Sequence, residues 1–340
     1  MLSVRTRAFV GIAGCSFLLA AGTMPTHPVQ LAVPQNWPPP AYDLSRNPMT
    51  QEGIELGRKL FHDPILSKDS TTSCSSCHSS YTAFSHVDHK LSHGIHDSIG
   101  TRNAPALMNL AWNKSFMWDG AVNHLDMQPL APINHPAEMA ESTQHVVFKL
   151  ENSRTYRRMF AEAFGDSMIF SDRMLKALAQ FQLSLVSCGS RYDRMKAGVE
   201  LFTEQEQNGY LIFQAHCNAC HKEPLFTTGE FANNGLPPDS LLRDGGRIRI
   251  THDPKDSLMF KIPTLRNVEY SFPYMHDGRF KTLRTVLDHY DHGIMKSSTL
   301  APELREGVPL TSDQRTDLVA FLLTLSDRGF VMDPAHAHPR

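Results

Sequence analysis

The sequence lacks the features that would place it in several common classes of protein. Its 340 residues carry a formal net charge of −2 and contain no lysine- or arginine-rich run, so the charge predicts no nucleic-acid binding. The apolar run near the N-terminus, Phe9 to Gly22, is too short to span a bilayer comfortably. Apart from two short motifs only Cys15 and Cys188 remain as cysteines, which excludes a fold stapled by many disulfides.

The other four cysteines lie in two copies of the pentapeptide Cys-x-x-Cys-His. This is the attachment signature of c-type haem, in which both thiols bind the porphyrin and the adjacent imidazole is held against the iron. A structural zinc site is the weaker alternative, because each Cys₂His set lacks an obvious fourth ligand. The motifs therefore predict two covalently bound haem c groups, attached through Cys74, Cys77, Cys217 and Cys220 and ligated by His78 and His221.

The N-terminus has the pattern of an export signal. Arg5 and Arg7 precede the apolar run, which ends in small residues, and we predict a cleaved signal peptide over residues 1–24. Because c-type haem is attached outside the cytoplasm, a periplasmic location is expected. The segment from Ile12 to Cys15 also resembles a bacterial lipoprotein cleavage box, so lipid anchoring through Cys15 is an alternative.

The periodicity of the remaining chain is mainly helical. A capping box at Thr203 and Glu206 predicts a helix that runs into Cys217. Further helices are predicted after the capping residues Ser171, Thr282 and Thr311. In the helix after Thr282, an apolar face is predicted from the spacing of Leu283, Val286, Leu287 and Tyr290.

Two helical haem domains follow from the distribution of motifs, helices and loops. Prolines at residues 25–48 predict an extended lead-in, and a long irregular stretch follows each haem motif. We therefore predict a mainly α fold with two cytochrome-c-like haem domains and long irregular loops. The predicted domains are residues 49–190 and residues 191–330.

Short stretches along residues 53–293 occur in a characteristic order. They are Leu60-Phe61-His62-Asp63-Pro64, Arg102-Asn103-Ala104-Pro105-Ala106-Leu107, Phe116-Met117-Trp118-Asp119-Gly120, Pro263-Thr264-Leu265-Arg266-Asn267 and Tyr274-Met275-His276-Asp277-Gly278. In this order and spacing the chain resembles the bacterial di-haem cytochrome c peroxidase family, which also includes the MauG-like enzymes of methylamine utilisation.

The resemblance implies a division of labour between the haems. The N-terminal haem on His78 would be peroxidatic, and the C-terminal haem on His221 and Met275 would receive electrons. Trp118 matches a tryptophan between the haems, and Asn103 matches a residue at an inter-domain calcium site. Considered alone, Trp118 is equally a buried aromatic anchor and Asn103 a turn-forming residue.

The same resemblance implies the catalytic pocket. Glu138 matches the pocket carboxylate, with Gln128 and Pro132 in the same cavity, and a carboxylate there can move the peroxide proton. Considered alone, Glu138 is a first-turn helix residue favoured by the helix dipole.

Two positions distinguish members of the family. Many of its peroxidases carry a distal histidine where this chain has Ile95, so the N-terminal haem is expected to rest open unless the flanking His93 or His96 replaces that histidine. The methylamine-utilisation enzyme has a tyrosine ligand on its second haem, whereas a methionine such as Met275 favours a reducible haem.

We therefore predict an exported di-haem peroxidase that reduces hydrogen peroxide to water. Its electrons would come from a small donor protein, a c-type cytochrome or a copper protein. The first alternative is a MauG-like enzyme that oxidises Trp or Tyr residues of a partner protein. The second is a di-haem electron carrier without catalysis, and a homodimer is an oligomeric state that the resemblance leaves open.

Overall fold

The computed structural model describes residues 26–339, so the predicted signal peptide over 1–24 and Cys15 lie outside the described residues. Regular structure in the described part is almost entirely helical, with one short two-stranded sheet. The prediction of a mainly α fold with long irregular loops is confirmed. No helix among residues 26–339 has the length and apolar character needed to cross a membrane.

Twelve α-helices and two strands are present among the described residues. The helices are α1 (Gln51–His62), α2 (Cys74–Cys77), α3 (Leu130–Asn134), α4 (Thr143–Glu151), α5 (Arg154–Phe164), α6 (Ser171–Ser184), α7 (Arg191–Lys196), α8 (Glu204–His216), α9 (Ile248–Thr251), α10 (Leu283–Asp288), α11 (Ser312–Leu323) and α12 (Arg328–Val331). Strands β1 (Phe231–Ala232) and β2 (Phe260–Lys261) pair antiparallel. Short 3₁₀ turns connect many of these elements, and one π-helical turn, His289–Gly293, follows α10.

Local capping explains where several helices begin. Thr203 and Glu206 form the predicted capping box at the start of α8, and the side chains of Thr282 and Thr311 cap α10 and α11. The prediction for Ser171 was wrong in detail. The helix starts at Ser171 itself, and Phe170 occupies the N-cap position without a side-chain hydrogen bond.

The first hydrophobic core forms around the packing of α1 on α6. Leu56, Leu60 and Phe181 are fully buried in it. The two helices approach most closely at Gly57, where a Cβ would overlap the carbonyl oxygen of Ala177 and lie 2.9 Å from the Cβ of Phe181. Only a residue without a side chain allows this approach.

The second core repeats this arrangement with different residues. It forms around the packing of α8 on α11, and Phe213 and Phe321 are fully buried there. At Gly209 a Cβ would overlap the carbonyl oxygen of Asp317 and lie 2.9 Å from the Cβ of Phe321. Each half of the chain therefore contains one closely packed helix pair. In each pair a glycine of one helix contacts a backbone carbonyl of the other helix and the phenylalanine four residues after that carbonyl.

Segments outside the helix pairs tie the halves together. The lead-in has no helix or strand over residues 26–48 and contacts the first core, where the rings of Trp37 and Trp112 meet edge-on at 4.9 Å. Phe330 and Val331, near the C-terminus, also pack into the first core. The C-terminal residues thus pack against the first half of the chain, although they follow the second half in sequence. The division into domains at residue 190 stays a prediction.

We predict that Gly57→Ala and Gly209→Ala each destabilise the protein by about 1–3 kcal/mol, because overpacking outweighs the better helix propensity of alanine. Thermal or urea unfolding of the haem-loaded protein, followed by circular dichroism, measures the effect. Gly329→Ala is the matched control, since this glycine is exposed in α12 and an added Cβ meets only an ordinary contact at 3.4 Å. Equal stability of all three variants would contradict the role of the two glycines.

Candidate active site

One cavity of about 740 Å³ is lined by residues of both Cys-x-x-Cys-His motifs. All four motif cysteines and both motif histidines belong to its wall, and most of the other lining residues are apolar. A large apolar cavity with a few convergent polar groups is the usual form of a cofactor site. Its lining therefore fits haem groups attached at the two motifs.

The first motif holds its histidine in a defined orientation. Cys74–Cys77 form one short helix, and His78 follows as its C-cap. The Nδ1 atom of His78 lies 2.7 Å from the carbonyl oxygen of Phe84. Because a carbonyl oxygen only accepts, Nδ1 carries the proton and Nε2 is left with a free lone pair, the form that binds metal. Burial lowers the pKa of His78 to about 4, which keeps the imidazole neutral.

The second motif reaches the same result from a different local structure. Cys217 is the C-cap of the long helix α8, and His221 lies in the turn beyond it. The Nδ1 atom of His221 lies 3.1 Å from the carbonyl oxygen of Pro263 and 3.3 Å from that of Phe226. Burial lowers the pKa of His221 as well. Both histidines thus present Nε2 as a ligand atom.

Burial also controls the four motif thiols. It raises the pKa of Cys74 and of Cys217 to about 12, and it raises the pKa of Cys77 and Cys220. The thiols are therefore protonated at neutral pH in the chain without haem.

Glu138, Gln128 and Pro132, the three residues predicted for the catalytic pocket, all line the cavity. Burial raises the pKa of Glu138, and His135, whose Nδ1 lies 3.9 Å from its carboxylate, partly opposes this shift. Gln128 lies beside Met117, with its amide nitrogen 3.9 Å from the sulfur. Glu138 thus combines access to the cavity with a pKa closer to neutrality, as a general acid–base group requires.

The loop that carries Ile95 packs against the Glu138 segment. Ile95 is buried, and its N–H donates to the carbonyl oxygen of Glu138 at 2.8 Å. A Cβ at Gly94 would overlap the backbone of Ala137 and Glu138, so the glycine permits the close approach. The backbone of this loop therefore helps to position Glu138.

The histidines beside Ile95 have separate environments. His96 is exposed, and its ring nitrogen lies 3.7 Å from a carboxylate oxygen of Asp69. His93 lines the cavity, but its ring stacks on His89 at 4.2 Å and its Nδ1 lies 3.1 Å from Asp97. Of the two flanking histidines, only His93 lines the cavity.

Asn103 connects the predicted relay tryptophan to the second half of the chain. The indole N–H of Trp118 donates to the carbonyl oxygen of Asn103 at 2.8 Å. The Asn103 side-chain amide donates to the carbonyl oxygen of Pro273 at 2.6 Å, and its backbone N–H donates to that of His276 at 2.7 Å. Trp118 lines the cavity, so this network places an oxidisable ring in its wall.

A buried ion pair strengthens the same junction. The guanidinium of Arg102 donates to both carboxylate oxygens of Asp244, at 2.6 and 2.9 Å, and to Asp119 at 2.6 Å. Arg102 and Asp119 flank Asn103 and Trp118 in sequence, whereas Asp244 belongs to the second half. Bidentate pairing of this kind defines orientation as well as distance.

The predicted calcium ligand has one unusual feature. Asn103 is 7% exposed, and its side-chain oxygen is buried without a hydrogen-bond partner. Among the described residues, no group of three or more His, Cys, Asp or Glu side chains is placed to hold a metal ion. Any cation beside Asn103 would therefore depend mainly on carbonyl oxygens, and calcium stays a prediction.

Met275 lines the cavity, as its predicted role requires, but a second candidate ligand lies nearby. The sulfur of Met275 accepts a hydrogen bond at 3.4 Å from the side-chain amide of Asn234. Tyr290 also lines the cavity. Burial raises the pKa of the Tyr290 phenol, contact with the Asn234 side chain lowers it, and the nearby Cys217 and Cys220 thiols raise it. Tyr290 is thus close to the second haem motif.

Sequence reasoning missed Tyr290 because its spacing placed it on the apolar face of the helix after Thr282. That helix ends at Asp288, and Tyr290 lies in the π-helical turn that follows. π-Helical turns occur frequently at functional sites. The available signal was a tyrosine, with its polar hydroxyl, on an otherwise aliphatic face.

Comparison with known proteins identifies both halves. Residues 51–201 match the family model "Di-haem cytochrome c peroxidase", and residues 206–326 match the model "Cytochrome c".

Relatives that match over most of their length include both MauG proteins and cytochrome c peroxidases. The chain is 34% identical to the methylamine utilization protein MauG of Methylophilus methylotrophus, over 82% of this chain and 84% of that protein. It is 31% identical to the cytochrome c551 peroxidase of Nitrosomonas europaea, over 96% of this chain and 90% of that protein. The crystal structure of a MauG-like protein associated with microbial copper homeostasis superposes with a TM-score of 0.82 and 31% identity, covering 92% of this chain and 99% of that chain. The chain therefore belongs to the di-haem cytochrome c peroxidase family, whose members bind haem c and include both peroxidases and MauG proteins.

Proposed function

We propose that this protein uses hydrogen peroxide to oxidise aromatic residues of a partner protein, as a MauG-like enzyme. The observation that carries the proposal is the position of Tyr290 in the cavity wall, near Cys217 and Cys220 of the second motif. A tyrosine ligand on the second haem is the feature that the family resemblance associates with the methylamine-utilisation enzyme. Relatives named MauG and a MauG-like solved structure support the same assignment.

The chain's own residues account for binding two haems. Cys74 and Cys77 would attach one and Cys217 and Cys220 the other, with His78 and His221 offering Nε2 to the two irons. When bound, haem supplies the redox chemistry, because an iron with an open position binds the oxidant and a closed iron passes electrons.

Glu138 is proposed as the acid–base residue. Cleavage of peroxide requires a proton to move from one oxygen to the other, and a carboxylate in the cavity wall can accept and return it. Its raised pKa supports this role, and Gln128 in the same wall is proposed to help orient the peroxide.

Trp118 is proposed to link the two haem sites for electron transfer. Its indole lies in the cavity wall, and its N–H is anchored on Asn103, which itself contacts the second half. Unchanged electron transfer between the haems in Trp118→Phe would contradict this role.

We also propose that the first haem rests with an open position. Ile95 offers no ligand atom, His96 is exposed beside Asp69, and His93 is engaged by His89 and Asp97. Cyanide should therefore bind the protein as isolated, without prior reduction. Low-spin signals from both haems in the resting protein would contradict an open site.

Export, assembly and cation binding complete the proposal. The signal peptide over residues 1–24 would direct the chain to the periplasm, where haem attachment takes place, and would then be cleaved, which the mass of the mature N-terminus tests. The buried, unpartnered oxygen of Asn103 supports a calcium ion at the junction of the halves. Elemental analysis of the purified protein tests for calcium, and analytical ultracentrifugation tests for a homodimer.

A second candidate function is donor-driven peroxidase activity, in which a small c-type cytochrome or copper protein supplies the electrons. Met275 favours it, because this methionine also lines the cavity and a thioether ligand raises the haem potential. The match to a cytochrome c551 peroxidase over most of the chain supports it too.

Steady-state assays separate the two functions. We predict that purified wild-type protein oxidises reduced cytochrome c slowly with peroxide, while it oxidises aromatic residues of a genuine protein substrate. Reduced small copper proteins serve as a second donor. Rapid turnover with either donor would instead establish the peroxidase.

The choice between Tyr290 and Met275 as the residue that would bind the second haem iron gives a spectroscopic prediction. We expect Tyr290→Phe to convert the second haem from low spin to high spin, because the phenol oxygen is lost while the ring is kept. Met275→Leu, which removes the sulfur at similar volume, should leave both spin states unchanged. Electron paramagnetic resonance of the oxidised proteins measures this. The reverse pattern would identify Met275 as the ligand and favour the donor-driven peroxidase.

Glu138→Gln should slow peroxide cleavage by about 10²–10⁴-fold, since it removes the acid–base group without changing the size of the side chain. In the wild type the rate should fall as the pH drops through the raised pKa of Glu138, because the carboxylate must be ionised to accept the proton. This fall in rate at low pH should be absent in Glu138→Gln.

Stopped-flow mixing with peroxide across a pH series measures both effects. Glu151→Gln is the control, because Glu151 is exposed and lies outside the cavity wall. Native haem spectra in both variants establish that the site is intact. A Glu138→Gln protein with wild-type rates would remove this residue from the reaction.

A further inference from the structure

The cavity wall contains three lysine or arginine side chains among the described residues, Arg102, Arg249 and Lys261. Arg102 is paired with Asp119 and Asp244, and a guanidinium nitrogen of Arg249 lies 3.6 Å from a carboxylate oxygen of Asp244. Lys261 has no carboxylate within ion-pair distance among residues 26–339. Of these three cations, only Lys261 has an unneutralised charge.

The surroundings of the Lys261 amine give its charged form little stabilisation. Its Nζ donates to the carbonyl oxygen of Ser115 at 2.6 Å and lies 5.7 Å from the centre of the Phe116 ring. One carbonyl and one aromatic face replace only part of the hydration of an ammonium group, which has three donors. Burial accordingly lowers the pKa of Lys261 to about 8.

The backbone connects the segment that carries this amine to Trp118 and to the second haem motif. Lys261 ends strand β2, and its N–H donates to the carbonyl oxygen of Trp118 at 2.7 Å. Further along the same segment, the carbonyl oxygen of Pro263 holds the Nδ1 of His221. The side chain thus leaves a rigid segment tied to both the proposed relay tryptophan and the second motif histidine.

Haem brings carboxylates into this cavity, because each porphyrin carries propionate side arms. A propionate in a largely apolar cavity needs a cationic partner, just as a buried lysine needs an anionic one. We propose that Lys261 is a haem-binding residue whose ammonium pairs with a propionate of one of the two haems. The inference rests on haem binding, which family membership implies, and is independent of the substrate that is oxidised.

The pairing has a consequence for the redox equilibrium. A propionate that loses its cation leaves uncompensated negative charge near the iron, and negative charge favours the ferric over the ferrous state. Removal of the Lys261 charge should therefore lower the reduction potential of the haem with which it pairs. Lys261→Arg keeps the charge and should keep most of the potential.

Spectroelectrochemical titration of the haem-loaded Lys261→Met protein tests the proposal. We expect the reduction equilibrium constant of one haem to fall at least tenfold, equivalent to about 59 mV for a one-electron couple. The resonance Raman propionate bending band of that haem should shift as well. Lys114→Met is the matched control, since it removes a positive charge from the neighbouring segment at an exposed position.

Lys261→Gln, which keeps a donor for the Ser115 carbonyl, provides a second neutral variant if Lys261→Met loads poorly with haem. Wild-type potentials and Raman bands in either neutral variant would overturn the proposal. A potential shift that depends on whether chloride or phosphate is the buffer anion would also overturn it, because a free anion would then be the partner. None of these outcomes depends on peroxide turnover, so the proposal and the proposed enzymatic function can fail separately.

Discussion

The hydrogen bonds from the two motif histidines to backbone carbonyls are the constraint on which the rest of the site depends. They assign the proton of His78 and of His221 to Nδ1 and leave Nε2 free to bind a metal. The acceptors, Phe84 and Pro263, lie in loops outside the motifs, so the loops must fold correctly before either histidine is oriented. This dependence explains why long irregular segments surround the motifs in a helical protein, since loops supply carbonyls that a helix uses internally.

The helix pairs supply the rigid frame for those loops. α1 packs on α6 and α8 packs on α11, each pair closing on a glycine, Gly57 or Gly209. The same solution occurs in both halves although the local context of the motifs differs. In the first half the motif has its own short helix, α2, whereas in the second half it follows directly from α8. A common packing geometry therefore accommodates two different ways of presenting a haem ligand.

A small number of polar contacts connects the two halves at their junction. Asn103 receives the indole N–H of Trp118 and contacts the segment that carries Met275, while Arg102 pairs across the junction with Asp244. Lys261 contributes a further link through its backbone bond to Trp118. The proposed relay, the proposed calcium position and the proposed propionate partner thus share one region of the junction.

The sequence alone determined the starts of α8, α10 and α11 and predicted the haem attachment residues and the histidine ligands, because these depend on residues close together in the chain. A thiol pair with an adjacent imidazole or a Thr-x-x-Glu capping box has the same chemistry in any fold. Only the tertiary structure indicated the roles that we propose for Tyr290 and Lys261, because it places both residues in the cavity wall. Spacing placed Tyr290 on an apolar helix face, and only the fold brings it near Cys217 and, among residues 26–339, leaves Lys261 without an acidic partner. Proximity and burial arise from segments distant in sequence, so no local pattern could reveal them.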